Sequence, residues 1–171
     1  IGVFFSGNQN PDLYNKSIIS EKFGKVTRLK LLDYLQNSMP INKLQVVERN
    51  GEQAGNNIDK FLLVKWEWSP SYHMNKEARI DDTNWLTCLS TCNFFLACPG
   101  MTMPMCHNII EAMAVGCIPI TQYADEFYPP LENNLNCLTF HDEEEAKEKI
   151  LFALQLSSDK INTMRLEVIR Y

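Results

Sequence analysis

Two short apolar runs constrain this chain more than any other feature: residues 93–97 (NFFLA) and residues 117–120 (CIPI). Between them lie a Pro99-Gly100 turn, a polar loop and a helix-patterned segment that ends at Gly116. Neither run alternates apolar with polar residues, so neither suits a sheet with one face in water. A continuously apolar run is what a strand covered on both faces requires. Parallel neighbours cannot be joined by a hairpin and need a crossover, usually a helix. Residues 98–120 therefore predict a strand, loop, helix, strand unit. In open sheets built from such units, ligands bind beyond the carboxyl ends of the strands.

The remaining pattern extends that unit in both directions. Residues 2–6 (GVFFS) read as a first strand closed by a turn at Gly7-Asn8, which Asn10-Pro11-Asp12 lengthens. Residues 20–37 carry Phe23, Val26, Leu29, Leu31, Leu32 and Leu35 at roughly helical spacing, and Pro40 stops that helix. Strands follow at 44–47 and at 61–64, the latter extending towards Trp68, with a polar loop at 50–59 between them. A surface loop at 74–82 leads into a helix over 83–90, whose Trp85 and Leu89 share an inner face. After the central unit come a Pro-stopped turn at 125–131 and a strand at 136–140. A helix then runs to about residue 156, opened by Asp142 as N-cap with Glu145 three residues on. A last amphipathic helix covers 159–171. The alternation predicts a Rossmann-like, three-layer α/β/α domain with a mostly parallel sheet, spanning residues 1–171 as a single unit.

Composition narrows the partners. At 171 residues and 45% hydrophobic content the chain can bury one full core. With 16 basic against 21 acidic residues, and no cluster of Lys and Arg, nothing points to a nucleic-acid groove. No apolar run approaches the roughly 18 residues of a membrane span. Cys88, Cys92, Cys98, Cys106, Cys117 and Cys137 include no CxxC pair, so a zinc site is not expected; four of them sit in or beside apolar runs as small buried hydrophobes, and the even count permits disulfides that a domain of this size does not need. Asn15-Lys16-Ser17 fits a glycosylation sequon, a triplet that also arises by chance. Compartment stays open, with a bacterial-type cytoplasm preferred over a Golgi lumen. Ile1 already lies inside a strand-like run, so the chain reads as part of a longer protein.

The chemistry concentrates in the central crossover. Pro104 suits a first helical position, which makes Thr102 or Met103 the N-cap of a helix running to about Val115, with Gly116 as its left-handed end. The loop amides and that helix start then face the sheet edge, where they favour a phosphate or pyrophosphate. His107 and Glu111 lie four apart on one helix face. A carboxylate one to two turns beyond a phosphate-facing helix start can accept hydrogen bonds from two ribose hydroxyls; the plainer reading is a solvated His-Glu pair.

CPG followed by HNIIEAMAVGCIPI resembles the donor-binding motif of GT-B glycosyltransferases, the two-Rossmann-domain architecture, and above all its exostosin-like version. The resemblance implies a C-terminal donor domain of a transferase that moves a sugar from a nucleoside-diphosphate sugar to a glycan or other acceptor. It implies that Glu111 binds the nucleotide ribose and that the Gly100 to Met105 loop, with Thr102 and Met103, and the helix start face the diphosphate; His107 is counted with the same donor site. GVFFSGN followed by a helix with Lys25 and Arg28 is similar to the first strand and helix of such domains. Gly7 and Asn8 then match the turn that contacts donor phosphate or sugar, and a basic residue neutralises the diphosphate. Arg28 is preferred over Lys25, because guanidinium grips phosphate through two parallel bonds. No metal and no other cofactor is implied.

The chain departs from the family pattern where many retaining members carry a second glutamate eight residues before the ribose-binding one. That position is Met103. The donor sugar and stereochemical course cannot be carried over, and no catalytic base is assigned. In this architecture the acceptor site, and often the base, belong to an N-terminal Rossmann domain that these residues do not include, so the chain alone is expected to turn over little. A rival reading is a non-catalytic Rossmann-like module that binds a nucleotide or a protein for regulation; another is a different α/β enzyme using the same sheet edge. Trp66, Trp68 and Trp85 fit either core positions or stacking on sugar or base. Tyr123, Phe127 and Tyr128 follow the strand ending at Ile120 and could border the site. His73 and His141 read as surface or capping residues, and Asp81-Asp82 as a lead-in to a helix.

Overall fold

A computed structural model describes residues 1–48, 58–67 and 80–171. The strands are β1 (Val3–Asn8), β2 (Leu44–Val47), β3 (Phe61–Trp66), β4 (Phe94–Ala97), β5 (Ile118–Thr121) and β6 (Leu138–Thr139). They form one sheet in the order β2-β3-β1-β4-β5-β6, and every pairing is parallel. The helices are α1 (Pro11–Tyr14), α2 (Ile19–Phe23), α3 (Arg28–Ser38), α4 (Asp82–Ser90), α5 (His107–Ala114), α6 (Glu143–Ala153) and α7 (Ser158–Arg170). α3 packs against α6, while α4, α5 and α7 form a second contiguous group, which gives the three-layer α/β/α arrangement.

The central strands owe their place to their composition. All four residues of β4 and of β5 are buried, as are the first five of β1. Phe4, Phe94, Phe95, Leu63 and Ile120 anchor the core that these strands share with Leu31, Leu35, Ile109 and Ile150 from the helices. At roughly 1.5–3 kcal/mol for each large side chain fully buried, this shared core supplies most of the favourable free energy of folding. β1 lies between β3 and β4: after β1 the chain runs to the edge strand β2, returns through β3 to pair with β1, and only then crosses to β4, β5 and β6 on the other side. The carboxyl ends of β1 and β4 therefore meet at a topological switch point, where such sheets open a crevice.

Two expected helices differ from their sequence pattern, and both differences bear on the site. The apolar spacing over 20–37 predicts one helix, but the chain breaks it into α2 and α3. Gly24 ends α2 in the left-handed conformation (φ 63°), which costs a glycine nothing. The linking backbone is held by tertiary contacts: Val26 N–H donates to Gln122 Oε1 and Val26 C=O accepts from Gln122 Nε2, both at 2.7 Å. Arg28 consequently opens α3 instead of standing inside a longer helix.

α5 likewise starts three residues after Pro104, at His107, with Cys106 and not Thr102 or Met103 at its N-cap. The Met101 carbonyl is engaged elsewhere, accepting from Ile18 N–H and Ser17 Oγ at 3.1 Å each. Gly100 N–H closes a tight turn onto Met103 C=O at 3.0 Å. The other end of α5 follows expectation, with Gly116 left-handed (φ 74°).

Elsewhere β2 spans 44–47 as expected, and Asp142 Oδ1 accepts from Glu145 N–H at 2.9 Å to cap α6. The strand expected over 136–140 shrinks to two residues, and a 3-10 turn at Ala124–Glu126 occupies the start of the Pro-stopped segment. Among the described residues no helix is long and apolar enough to cross a membrane. All six cysteines are free, four of them buried and Cys88 and Cys106 half-buried. Most of the expected loops at 50–59 and 74–82, with Trp68 and His73, lie outside the described residues.

Candidate functional site

A cavity of about 510 Å³ opens at the carboxyl ends of β1 and β3, beneath the first turns of α4 and α5. β1 contributes Ser6, Gly7 and Asn8 to its wall, and β3 contributes Trp66. α5 presents Cys106, His107, Asn108 and Glu111 from its N-terminal half. α4 adds Asp82 and Trp85, and Arg28 with Tyr14 forms the remaining wall.

Arg28 is the electrostatic centre of this arrangement. Its side chain is almost fully enclosed, with the residue 4% exposed. Nε donates to Pro99 C=O at 3.2 Å, beyond the end of β4, and Nη1 donates to Asn8 C=O at 2.9 Å, at the end of β1. One guanidinium thus ties together the two strand ends at the switch point. Nη1 also donates to the Tyr14 hydroxyl at 2.5 Å, and the guanidinium carbon lies 4.3 Å from the centre of the Tyr14 ring.

Two phenols and a thiol lie near this cation, and burial disfavours the charged form of each. Burial pushes the Tyr14 phenol up, against a smaller opposing pull from Arg28. Burial also pushes the Cys98 thiol up to about 12, and it raises the Tyr123 phenol well above its ordinary value. The Tyr123 hydroxyl is enclosed with no hydrogen-bond partner in proper geometry; Thr121 lies close enough to lower its pKa slightly without meeting that geometry.

The ion pairs of the described residues, Lys25–Asp125, Lys30–Glu143, Lys65–Glu48, Lys147–Glu144 and Arg170–Glu167, leave Arg28 out. A buried cation without a carboxylate is costly to keep, by several kcal/mol even after relaxation. Its carbonyl partners offset part of that cost. Nη2, however, has only Cys106 Sγ at 3.8 Å, a weak acceptor. That leaves N–H donors beside the cavity and next to the start of α5, where helix amides add partial positive charge. The combination suits an anion.

Glu111 stands one turn further along α5, half-buried, and its Oε2 accepts from Trp85 Nε1 at 2.6 Å. Trp85 is in turn fixed against β1 and β4, its ring centre 6.0 Å from that of Phe4 and 6.2 Å, edge-on, from that of Phe95. Trp66 donates from its indole nitrogen to Ser6 Oγ at 3.0 Å. A carboxylate offers about four lone-pair sites. With one used by Trp85, Glu111 can still accept hydrogen bonds from hydroxyl groups in the cavity.

The structure thus gathers Gly7, Asn8, Arg28, His107 and Glu111 around one space, with Trp66 and Trp85 beside them. It does not bring Lys25, Gly100, Thr102 or Met103 there. Lys25 Nζ is drawn to the turn after β5, donating to Gln122 C=O at 2.8 Å and Asp125 Oδ1 at 3.3 Å. Thr102 and Met103 are exposed, Met103 at 62%, because the late start of α5 leaves them on an outward loop with Gly100 in its turn.

Tyr123 and Phe127 are buried, Tyr128 is 98% exposed, and none of the three lines the cavity. His141 is exposed, and its backbone N–H is capped by Glu145 Oε2 at 2.8 Å. Asp81 is the N-cap residue of α4, without a side-chain capping bond. Tyr14, Cys106, Asn108 and Ser6 were not singled out by sequence. The signal for Tyr14 was Asn10-Pro11, which opens α1: Asn10 Oδ1 accepts from Asp12 N–H at 2.8 Å, with Pro11 in the first turn.

Among the described residues no group of three or more His, Cys, Asp or Glu side chains is placed to hold a metal ion. No protein-family model matches the chain, and no curated protein matches it.

Proposed function

We propose that this chain is the nucleotide-sugar-binding domain of a glycosyltransferase with GT-B architecture. The observation that carries the reading is Arg28, an enclosed cation without a carboxylate partner that bonds to the ends of both β1 and β4 and shares a cavity with Glu111. In this reading the donor diphosphate lies against Arg28 Nη2 and the first amides of α5, near Gly7 and Asn8. The ribose lies against Glu111. As the bond to the sugar breaks, negative charge builds on the departing diphosphate, and a fixed guanidinium in a partly dry site is well suited to stabilise it. The His107 side chain is exposed at the cavity rim and faces the same ligand. Lys25, Gly100, Thr102 and Met103 have no part in this version of the site. The glycan acceptor and the catalytic base fall to a second Rossmann domain.

Titration calorimetry of the 171-residue chain with UDP, GDP and CMP tests the proposal. One of the nucleotides should bind at micromolar to millimolar concentration, and Glu111→Ala should weaken it about tenfold, the loss of one or two charge-assisted hydrogen bonds. No binding at millimolar nucleotide, or binding indifferent to Glu111→Ala, removes the proposal.

A further inference from the structure

We infer that Trp85 is a positioning residue that makes this site selective for ribonucleotides over 2′-deoxyribonucleotides, by holding the Glu111 carboxylate in the one orientation that meets the ribose hydroxyls. The inference rests on the donor-site reading above.

A glutamate on a helix surface has three soft dihedrals, and ordering it costs entropy that a ligand would otherwise have to supply. Here that ordering is built in before any ligand arrives. Trp85 Nε1–H donates to Glu111 Oε2 at 2.6 Å, a short, charge-assisted bond. The indole cannot swing away, because its ring is wedged against Phe4 and Phe95, both fully buried in adjacent central strands. The sheet core thus fixes Trp85, and Trp85 fixes Glu111.

Indole nitrogen is a donor only, so it can bond to the carboxylate but cannot replace it as acceptor for a sugar hydroxyl. Its bond occupies a lone pair of Oε2 and leaves Oε1 free. A ligand with vicinal hydroxyls can use Oε1 and the second lone pair of Oε2; a 2′-deoxy sugar leaves part of that acceptor capacity unmatched. A half-buried acceptor left without its donor is penalised more heavily than a solvated one.

The test measures the affinity of the best-binding nucleotide among UDP, GDP and CMP against that of its 2′-deoxy counterpart, in the wild-type chain and in Trp85→Phe. Phenylalanine keeps a ring against Phe4 and Phe95 and removes the N–H. The wild type should favour the ribonucleotide by about tenfold or more. In Trp85→Phe that ratio should fall towards one, through loss of ribonucleotide affinity, while the affinity for inorganic diphosphate stays within twofold. A purely structural role for Trp85 would weaken both nucleotides and diphosphate together, and that result overturns the inference.

Should Trp85→Phe fail to fold by circular dichroism, Glu111→Gln decides. Its amide oxygen can still accept from Trp85 while its amino group, a donor, replaces the free acceptor. A preserved ratio in Glu111→Gln would refute the inference. A wild type that binds ribo- and deoxyribonucleotide equally refutes it while leaving nucleotide binding in place. A wild type that binds neither removes the donor-site reading as well, so the two failures are distinguishable.

Discussion

Replacing Arg28 by lysine preserves the charge and removes the fork. Arginine reaches the ends of two strands because separate nitrogens do the work, Nε at Pro99 C=O (3.2 Å) and Nη1 at Asn8 C=O (2.9 Å). A single ammonium on a lysine stem can meet one of these carbonyls at bonding distance and not both. One buried acceptor is then orphaned, at a cost of about 1–3 kcal/mol. The stacking of the guanidinium over the Tyr14 ring, 4.3 Å away, is lost too, for about 0.5–1 kcal/mol more. Because the charge stays buried in both proteins, its desolvation cost cancels to first order. Arg28→Lys should therefore destabilise the chain by about 1.5–4 kcal/mol. Urea denaturation with linear extrapolation resolves such a difference, and the melting temperature should fall by roughly 2–4 °C for each kcal/mol in a chain of this size. If Arg28→Lys lies within about 0.5 kcal/mol of wild type, the two strand ends do not depend on a forked donor. The guanidinium would then be a replaceable charge and not the clasp at the switch point.

Two shorter tests probe the surroundings of that clasp and the far side of the fold. A Cβ on Gly7 would sit 2.9 Å from Phe5 Cζ and 3.3 Å from Arg28 Nη1, so Gly7→Ala should cost about 1–3 kcal/mol in urea denaturation, and an unchanged midpoint would show that the wall of the cavity yields freely. The Lys30 ammonium, 2.5 Å from Glu143 Oε1, holds the Glu143 carboxyl below its ordinary 4.5 through that hydrogen bond. A depressed carboxyl stabilises the fold above the unfolded pKa and loses that contribution as pH falls through the folded one. Lys30 is largely exposed, so wild type should exceed Lys30→Met by no more than about 1 kcal/mol at pH 7, and the two should converge once pH has fallen through the folded-state pKa of Glu143; a gap that persists in acid would assign the difference to packing.

Apolar runs made most of the sheet legible. β4 and β5 are fully buried, and residues 93–97 and 117–120 contain almost nothing that would tolerate water, so sequence and structure agree to within a residue. The start of α6 was equally legible, because Asp142 caps it through a local bond to the amide three residues on. The breaks at Gly24 and before His107 are of another kind. Glycine inside the 20–37 pattern was a visible warning, yet the chain turns there because Gln122, 96 residues after Val26, takes both of that residue's backbone groups. Before α5, the Met103 carbonyl that a helix capped there would use accepts instead from Gly100 N–H, and the Met101 carbonyl accepts from Ser17 and Ile18. Helical spacing reports the face a segment can bury and carries no record of a distant amide that competes for its backbone.

The same distinction runs through the candidate site. Glu111 and Arg28 were identifiable one at a time, each as a charged residue at a suitable depth in its own segment. What gives them chemical meaning is supplied from elsewhere: Trp85 orients Glu111 from 26 residues before it, and Pro99 C=O holds Arg28 from 71 residues after it. Lys25 shows the converse. It has the right charge in the right segment, three residues before Arg28, but Gln122 and Asp125 draw its ammonium to the turn after β5. Charge type in a segment therefore does not select the residue that faces a ligand. In this chain the cation that lines the cavity is the one the fold encloses without giving it a carboxylate, and the break at Gly24 sets that residue, Arg28, at the first position of α3.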